Sequence, residues 1–433
     1  MSSRGSDSRP NLFLSTRKIY KAPFVRAESN IFTSGCLVNY RYGSGPDEVD
    51  AFFNAKKPWS KVKDKIVGDY IHCYLQTIQR LERPILIVDG FSGPGRFGDG
   101  TAGSPLIICD AISATDKGRV GIGCLFADTH PGHRTALERT LVEHIKRGVS
   151  EKPFDDWSEA LTRALEVGTN STLFFYLDPY GIKDLEFDMV KRIYERDPRR
   201  STEVLINFNF RAFMRMSGNW GYGDSASEIS LKVKAAKVDT VNRVMDGDYW
   251  KAIVTNPSFD KIAREDAVVN AYMERVRRFF PFVYAIPVQD KNETEYAVPG
   301  DELARYHLIF GTRSRRAVRY MNDVARNALA PYLNKFKDGL LFDMTPERRQ
   351  SAPRDLVKEE IVKAVTVKPL LRPDIYEIVI PKFFMQYLVK DYHKMIDELT
   401  FKEGRLYPDR STMHRRTQLN DKTLLSAKPW GIV

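Results

Sequence analysis

Between residues 84 and 208, short apolar segments of strand length alternate with segments of helical periodicity. The apolar runs cover residues 84–88, 121–128, 173–178 and 203–208. Runs of this kind are typical of strands buried on both faces of a sheet. Helices placed between such strands predict a parallel sheet with right-handed crossovers. The sequence therefore predicts an α/β fold.

Two further apolar runs, residues 282–288 and 306–312, follow later in the chain. The stretch between them, residues 289–303, is turn-rich and too polar for a crossover helix, so the two runs are expected to pair antiparallel at one edge of the sheet. A mostly parallel sheet with an antiparallel edge hairpin is typical of the Rossmann-like methyltransferase fold. This analogy concerns the fold and does not establish a reaction.

The sequence divides into an N-terminal arm (residues 1–50), the α/β domain (residues 51–335) and a C-terminal domain (residues 336–433). In the last part, a β-branched run at 375–380 and a long amphipathic helix at 383–399 precede a basic hairpin. This order favours a winged-helix-like domain. A plain helical dimerisation or capping domain is an equally good interpretation.

The strongest candidate site follows the first strand, where Asp89, Phe91, Gly93 and Gly95 form a glycine-rich turn. Glycines there let the backbone approach a ligand at the carboxyl end of a strand. No Gly-Lys-Ser/Thr sequence follows, which argues against a P-loop, and the third glycine of a dinucleotide fingerprint is missing. The remaining candidate cofactor is S-adenosylmethionine, with its amino-acid moiety over the turn.

Two acidic positions extend this cofactor hypothesis. Asp128 lies at the tip of the second strand, where a carboxylate is expected to bind ribose hydroxyls. It could equally be the N-cap of the following helix. Asp156, next to Asp155 and after the position of a third strand, is a candidate contact for the adenine amine.

The strand at 173–178 ends in Asp178, Pro179 and Tyr180, followed by a glycine. Enzymes that methylate base amines place an Asp/Asn-Pro-Pro-aromatic motif at this position, where the acid accepts hydrogen bonds from the amine and the ring stacks on a flipped base. The chain lacks the second proline, so a simple turn is the alternative. A related pattern, residues 207–210 (Asn-Phe-Asn-Phe), falls one strand later and is a second-choice wall of the site.

Positive charge is concentrated after the last strand of the domain. The chain carries 67 Lys and Arg against 56 Asp and Glu, a net charge of +11. The guanidinium groups of arginine suit phosphate contacts. A cluster of arginines there predicts a nucleic-acid surface, and a solvated helix face is an equally good interpretation. The cluster consists of Arg313, Arg315, Arg316 and Arg319. The lysines crowded between residues 56 and 65 are expected to form a solvated face, with a ligand-binding role as the alternative.

Several classes of protein and site are disfavoured. The cysteines and histidines form no metal-ligand spacing, so no metal is expected. A nuclease is disfavoured because no carboxylate cluster has metal-binding spacing. No signal peptide or membrane-spanning run is recognisable, so a cytoplasmic protein without a membrane partner is expected.

The combined pattern resembles the three-Cys-motif partner (TcmP) family. The resemblance covers about residues 55–330 and includes the lysine-rich helix before the first strand. Its sequence blocks are residues 88–97, 103–106, 175–181, 203–208, 245–250 and 306–321. The resemblance implies a Rossmann-like methyltransferase-type domain, often followed by a helical or winged C-terminal part, and a possible partner protein bearing a three-cysteine motif. It implies no particular reaction.

Two hypotheses for the function follow. The first is an S-adenosylmethionine-dependent methyltransferase acting on nucleic acid, with a base exocyclic amine as the acceptor. The second is a non-catalytic nucleic-acid-binding or adaptor protein on a methyltransferase-like fold. The incomplete motif at Asp178 and the arginine cluster favour the second hypothesis, whereas the glycine turn favours the first.

Overall fold

The structure, a computed structural model, describes residues 53–217, 228–288, 304–334, 351–413 and 418–430. The predicted N-terminal arm (residues 1–50) and the loop at 289–303 lie outside the described residues. The first domain contains six strands. They are β1 (Ile85–Asp89), β2 (Ile122–Phe126), β3 (Thr172–Leu177), β4 (Thr202–Phe208), β5 (Phe282–Val288) and β6 (Tyr306–Thr312).

Helices precede, connect and follow these strands. They are α1 (Pro58–Ile78), α2 (Ser104–Thr115), α3 (Pro131–Thr140), α4 (Val142–Lys146), α5 (Trp157–Val167), α6 (Phe187–Tyr194), α7 (Phe210–Ser217), α8 (Glu228–Met245), α9 (Trp250–Val254), α10 (Lys261–Arg277) and α11 (Arg315–Asn334). The helix predicted at 134–147 is divided into α3 and α4 at Leu141, which lies fully buried between them.

The six strands form one sheet in the order β2-β1-β3-β4-β6-β5. Strands β1 to β4 are parallel, and β6 runs antiparallel to both β4 and β5. The predicted α/β class, the parallel strands and the antiparallel edge pair are therefore confirmed. Because the chain passes from β1 to β2 on one side and later reaches β3 on the other, a topological switch point lies between β1 and β3.

The third strand that the sequence suggested before Asp156 does not form as a regular strand. Two isolated parallel bridges stand in its place, Cys124 with Ser150 and Ala127 with Phe154. These bridges still carry the chain alongside β2, so the segment leading to Asp156 runs along the sheet edge.

Apolar side chains cover both faces of the sheet, as the continuous apolar runs predicted. On one face, β1 and β3 pack with α5 and α6; on the other, α1, α2 and α11 cover the sheet. Tyr70 of α1 donates a hydrogen bond to the buried Glu203 of β4, and the Thr312 hydroxyl donates a second at 3.2 Å. Burial raises the pKa of Glu203 to about 7, opposed by these two hydrogen bonds.

The C-terminal residues form a second cluster of buried side chains. Its elements are α12 (Arg354–Val367), β7 (Leu370–Leu371), α13 (Arg372–Val379), α14 (Val389–Phe401), β8 (Tyr407–Pro408) and β9 (Leu424–Ser426). The three short strands form an antiparallel sheet in the order β7-β9-β8.

Two features of this region differ from the sequence analysis. The β-branched run at 375–380 is helical, because Pro373 opens α13 and Ile375, Tyr376 and Val379 then bury one helical face. The helix predicted at 383–399 begins only at Val389. Its start is fixed by Asp391, whose carboxylate accepts a hydrogen bond from the backbone N–H of Leu388 at 3.1 Å.

Candidate functional site

Two carboxylates lie at the carboxyl ends of β1 and β3, on either side of the switch point. Asp89 ends β1 and is fully buried. Its Oδ1 accepts a hydrogen bond from the Phe91 backbone N–H at 3.1 Å, and its Oδ2 accepts one from the Ser104 hydroxyl at 2.6 Å. Burial raises the pKa of Asp89 to about 7, and the nearby negative charge of Asp178 adds to the rise while the two hydrogen bonds oppose it.

The turn after Asp89 has the backbone conformation that its glycines allow. Gly93 and Gly95 have φ angles of 61° and 80°, in the left-handed region. The Gly93 N–H donates to Asp128 Oδ2 at 2.9 Å, which joins the turn to the end of β2. The turn therefore brings together two residues predicted to bind the cofactor, although they lie 35 positions apart.

Asp128 also accepts hydrogen bonds from the helix that follows it. Its Oδ1 accepts from the His130 backbone N–H at 2.8 Å and lies 3.3 Å from His133 Nδ1. Asp128 is not the N-cap of α3, since His130 holds that position; its carboxylate instead binds the segment that leads into the helix and contacts the glycine turn. Its ribose-binding role stays a prediction.

A side chain from outside the predicted site covers the glycine turn. The ring of Phe53 packs so closely on Gly93 that an added Cβ would lie 2.7 Å from Phe53 Cε1. The Phe53 ring also makes an edge contact with His133, with a centroid distance of 4.8 Å. The Phe53 carbonyl accepts a hydrogen bond from the Gly98 N–H at 2.7 Å, which fixes this segment along the loop.

Asp156 has a local structural role in this arrangement. Its carboxylate caps α5 by accepting hydrogen bonds from the backbone N–H groups of Ser158 and Glu159. Phe91 packs near the next residue, Trp157, with a ring centroid distance of 6.1 Å. The predicted adenine contact of Asp156 stays a prediction, since a capping carboxylate retains acceptor positions.

The Asp178 carboxylate accepts four hydrogen bonds from its own chain. Oδ1 accepts from Lys63 Nζ at 2.8 Å and from Asn207 Nδ2 at 2.6 Å. Oδ2 accepts from Lys63 Nζ at 2.6 Å and from the Tyr176 hydroxyl at 2.9 Å. A carboxylate offers about four acceptor positions in total. An acceptor amine can therefore reach Asp178 only by displacing one of these donors.

Lys63 was expected on a solvated face, and that expectation is wrong. Its side chain is only 6% exposed, and its Nζ lies 4.6 Å from the centroid of the Tyr306 ring. Burial tends to lower the pKa of Lys63, but the charge and hydrogen bond of Asp178, together with Tyr306 and Asp64, outweigh it and hold that pKa above the ordinary value. The signal that could have found Lys63 is its position on α1: Lys63 precedes Ile66 and Tyr70 by three and seven residues, so it shares their buried face.

The second-choice wall of the site lies directly beside Asp178. Asn207 lies near the carboxyl end of β4, and its Nδ2 donates a hydrogen bond to Asp178 Oδ1. Asn209 Nδ2 lies 3.4 Å from the Tyr180 carbonyl. The Asn207 Oδ1 atom is buried and has no hydrogen-bond partner among the described residues. Pro179 is buried, whereas the Tyr180 side chain is 56% exposed.

The arginine cluster contacts its own chain at every predicted position. Arg313 bonds the Tyr194 carbonyl at 2.8 Å, and Arg319 lies 3.5 Å from the Tyr320 hydroxyl. Arg315 and Arg316 both reach Glu377 of α13, the first at its carbonyl and the second at its carboxylate, at 3.2 and 3.3 Å. The contacts of Arg315 and Arg316 thus join α11 to the C-terminal region. The role of the cluster in nucleic-acid binding stays a prediction.

Comparisons with known proteins give little further guidance. No protein-family model and no curated protein matches the chain. Among solved structures, the chain is similar to the DszA carbon methyltransferase at 11% identity and a TM-score of 0.25, over 53% of this chain. The match spans about half (47%) of that protein. A similarity this low carries no argument about fold or function.

Two further features are absent from the described ranges. No helix there is long and apolar enough to cross a membrane. No group of three or more His, Cys, Asp or Glu residues there is placed to hold a metal ion.

Proposed function

We propose that the protein is an S-adenosylmethionine-dependent methyltransferase on a Rossmann-like methyltransferase fold. The observation that carries the proposal is the switch point between β1 and β3, which is flanked by the glycine turn and by Asp178. Ligands of open α/β sheets bind in the crevice outside the carboxyl ends of the strands at such a point. The reversed strand β6 between β4 and β5 also matches the antiparallel edge that the methyltransferase fold predicts.

The residues at the crevice suit the cofactor. Gly93 and Gly95 give the turn its left-handed backbone conformation beside the end of β1, and the carboxylates of Asp89 and Asp128 suit the amino and ribose hydroxyl groups. Phe91 and Asp156 complete the set, Phe91 as an apolar wall and Asp156 as the proposed acceptor for the adenine amine. When bound, the cofactor supplies a methyl group on a sulfonium, and the protein orients an acceptor beside it.

The proposed acceptor is an amine, and a nucleic-acid base is the first candidate. Asp178, Pro179 and Tyr180 stand at the end of β3, and the exposed Tyr180 ring suits base stacking. In this role Asp178 accepts a hydrogen bond from the amine after Lys63 withdraws. Arg313, Arg315, Arg316 and Arg319 would then contact phosphates.

The C-terminal region supports a winged-helix interpretation through its connectivity. Its described elements follow the order helix, strand, helix, helix, strand, strand, and the first strand pairs with the last. This is the order expected of a winged helix. A partner protein with a three-cysteine motif, implied by the resemblance to the TcmP family, is a further proposal, and its binding to the chain can be tested by co-purification.

Calorimetric titration of S-adenosylmethionine tests the proposal directly. The unmutated chain is expected to bind one equivalent, and Asp89→Ala to weaken binding at least about tenfold by removing the acceptor beside the turn. Asp116→Ala is the matched control, because Asp116 is an exposed carboxylate at the end of α2. Absence of heat in the unmutated chain, or equal binding by Asp89→Ala, would contradict the proposal.

A second candidate function is a non-catalytic adaptor that retains the fold. The specific observation in its favour is that both halves of the crevice are filled by the chain itself, with Phe53 on Gly93 and Lys63 on Asp178. This alternative predicts salt-dependent nucleic-acid binding that is unaffected by the cofactor. The calorimetric titration therefore separates the two functions.

A further inference from the structure

The environment of the Lys63 ammonium resembles a built binding site for a cation. Two of its hydrogen bonds go to the two oxygens of Asp178, at 2.8 and 2.6 Å, and its Nζ faces the Tyr306 ring at 4.6 Å. A carboxylate and an aromatic face are the groups that bind alkylammonium ions in proteins. We call Asp178 and Tyr306, which contact this ammonium, together with Asn207, which bonds Asp178, the ammonium seat.

An unused acceptor adjoins the seat. The Oδ1 atom of Asn207 is buried and lacks a hydrogen-bond partner among the described residues, although the other end of the same amide bonds Asp178. A buried carbonyl oxygen without a donor has a free-energy cost, because it loses the hydrogen bonds that water would donate to it. A ligand that brings an additional N–H group into the seat would remove this cost.

The charge around the crevice favours a cation over a polyanion. Burial raises the pKa of Asp64 and of Asp89, and the nearby negative charge of Asp178 adds to both rises. Lys56 pairs with Asp64 and Lys63 with Asp178, and the Arg305 guanidinium lies 5.7 Å from the centroid of the Tyr306 ring. Without the Lys63 ammonium, Asp178 would keep its hydrogen bonds from Tyr176 and Asn207 but would lose its cationic partner, so that position favours a cation.

A base exocyclic amine is a poor match for this seat. Such an amine is neutral, since its lone pair is delocalised into the ring, and it gains little from a carboxylate and an aromatic face. An alkylammonium ion gains from both. The chain itself shows the fit, because the group that fills the seat is the end of a lysine side chain.

We propose that the seat at Asp178 binds alkylammonium groups, that Lys63 fills it when no ligand is present, and that the acceptor is an alkyl amine. Only the identification of this amine as the acceptor rests on the proposed methyltransferase function. For methyl transfer the bound ammonium would first give up a proton to solvent, and the neutral amine would then take the methyl group from the sulfonium, which would leave as the thioether. The alkyl amine has two possible sources, a lysine side chain of a protein or a free polyamine. Both present the same ammonium to Asp178 and the same N–H groups to Asn207.

The first experiment empties the seat by Lys63→Ala, without S-adenosylmethionine present. n-Propylammonium replaces the atoms that the substitution removes, and 1-propanol is the uncharged match. We expect calorimetry to show propylammonium binding to Lys63→Ala at least about tenfold more tightly than propanol. The added substitution Asp178→Asn is expected to abolish the difference. Equal affinities for the two probes would overturn the proposal.

The second experiment uses the unmutated chain and therefore does not depend on the folding of Lys63→Ala. With 15N-labelled lysine, the Lys63 ammonium bound to Asp178 is expected to give a slowly exchanging NMR signal. The signal is assigned to Lys63 by its absence from the spectrum of Lys63→Met. Spermidine or the peptide acetyl-Gly-Lys-Gly-amide should release it, and the one effective at lower concentration identifies the source. Release by deoxyadenosine or deoxycytidine but by neither amine would overturn the proposal.

These results are distinguishable from a failure of the proposed function. Both experiments are read without the cofactor, whereas S-adenosylmethionine binding is measured by its own titration. If the seat binds alkylammonium and the chain does not bind the cofactor, the seat stands and the methyltransferase proposal fails. If the cofactor binds and the seat shows no preference for ammonium, the methyltransferase proposal stands and the alkylammonium proposal fails.

Discussion

The two halves of the crevice are built in different ways. On the β1 side, Asp89 is satisfied by the Phe91 N–H two residues away and by the Ser104 hydroxyl fifteen residues away. On the β3 side, Asp178 is bound by Lys63, which is 115 residues distant in the sequence. The first half is therefore organised by a local turn, and the second depends on the packing of α1 against the sheet.

The two halves also differ in charge. The β1 half holds a carboxyl group whose pKa is raised to about 7 by burial, with hydroxyl and backbone donors around it. The β3 half holds an ammonium paired with a carboxylate. Substitutions in the β3 half should therefore disturb the fold more than those in the glycine turn, because they leave a buried charge without its partner.

The largest effect is expected for Asp178→Ala. The substitution removes the partner of Lys63, whose side chain is 6% exposed, and breaking a buried pair of this kind costs about 3 to 5 kcal/mol. Asp178 is itself 20% exposed, so we expect a loss near the lower value, about 3 kcal/mol. Urea denaturation measures the free energy of unfolding.

The control for Asp178→Ala is Asp69→Ala, which breaks the exposed pair with Lys65 on the same helix. That pair is worth about 0.3 to 0.5 kcal/mol, since both side chains are about half exposed. The double substitution Lys63→Met with Asp178→Asn should recover part of the loss by leaving no unpaired charge. Equal costs for the two single alanine substitutions would show that the β3 half is not held by its ion pair.

The second expected effect is a loss of stability as the pH rises. Burial raises the pKa of both Asp89 and Glu203 to about 7, so the folded chain holds protons that the unfolded chain releases near pH 4. This contribution to stability is complete below about pH 4 and is lost as the pH rises through 7. Each group adds a slope of at most about 1.4 kcal/mol per pH unit.

Denaturation at a series of pH values measures this slope, and two neutral variants assign it. Asp89→Asn and Glu203→Gln should each reduce the fall in the free energy of unfolding between pH 4 and 7 by the contribution of one carboxyl group. Because Asp89 lies in the crevice and Glu203 in the core beneath α1, the pair compares the glycine-turn half with the sheet interior. A fall that both variants leave unchanged would mean that neither carboxyl carries it.

Sequence patterns predict the features that are encoded locally and miss those that depend on contacts between distant residues. The parallel strands and the antiparallel edge pair are confirmed because continuous apolar runs encode them, and the turn after β1 forms because its local glycines allow it. Lys63 was missed because its partner lies 115 residues away, and a lysine-rich helical turn is normally solvated. Phe53 was missed because no periodicity marks a single ring that packs on Gly93.

In the C-terminal region, tertiary packing and not local propensity determines the secondary structure. A β-branched run at 375–380 has strand propensity, but its Ile375, Tyr376 and Val379 fall on one helical face that packs into a core. Tertiary packing overrides propensity in such cases. The arginine cluster was recognised as basic, but its contacts with Glu377 depend on the docking of α13, which no local pattern records.

A smaller effect is expected for Gly93→Ala in the turn. The left-handed φ of 61° costs about 1 kcal/mol in alanine, and the clash with Phe53 adds about 1 kcal/mol of overpacking. Gly118→Ala is the matched control, since Gly118 has a φ of 65° and open space around it. Thermal unfolding should show a larger loss of stability for Gly93→Ala than for Gly118→Ala. When Gly93→Ala is introduced into a Phe53→Ala chain, the additional loss should equal that of the control.

The smallest effect on stability is expected for Arg316→Ala in the arginine cluster. Arg316 is half exposed and pairs with Glu377 at 3.3 Å, so its loss should cost under about 1 kcal/mol. If the cluster contacts phosphates, the same variant lowers the salt dependence of DNA or RNA binding by about one unit of slope. Arg199→Ala, at a highly exposed arginine paired with Asp197, is the control.

The two readouts of Arg316→Ala decide what the positive charge does. An unchanged salt slope together with a small loss of stability would assign Arg316 to the contact between the domains and would remove the main support for a nucleic-acid acceptor. A lower slope would show that a polyanion binds the arginine cluster. That cluster follows the end of β6 that pairs with the start of β4, so it lies at the opposite end of the strands from Asp178 and Asn207. The alkylammonium group would then have to come from a protein or polyamine that reaches the seat separately from that polyanion.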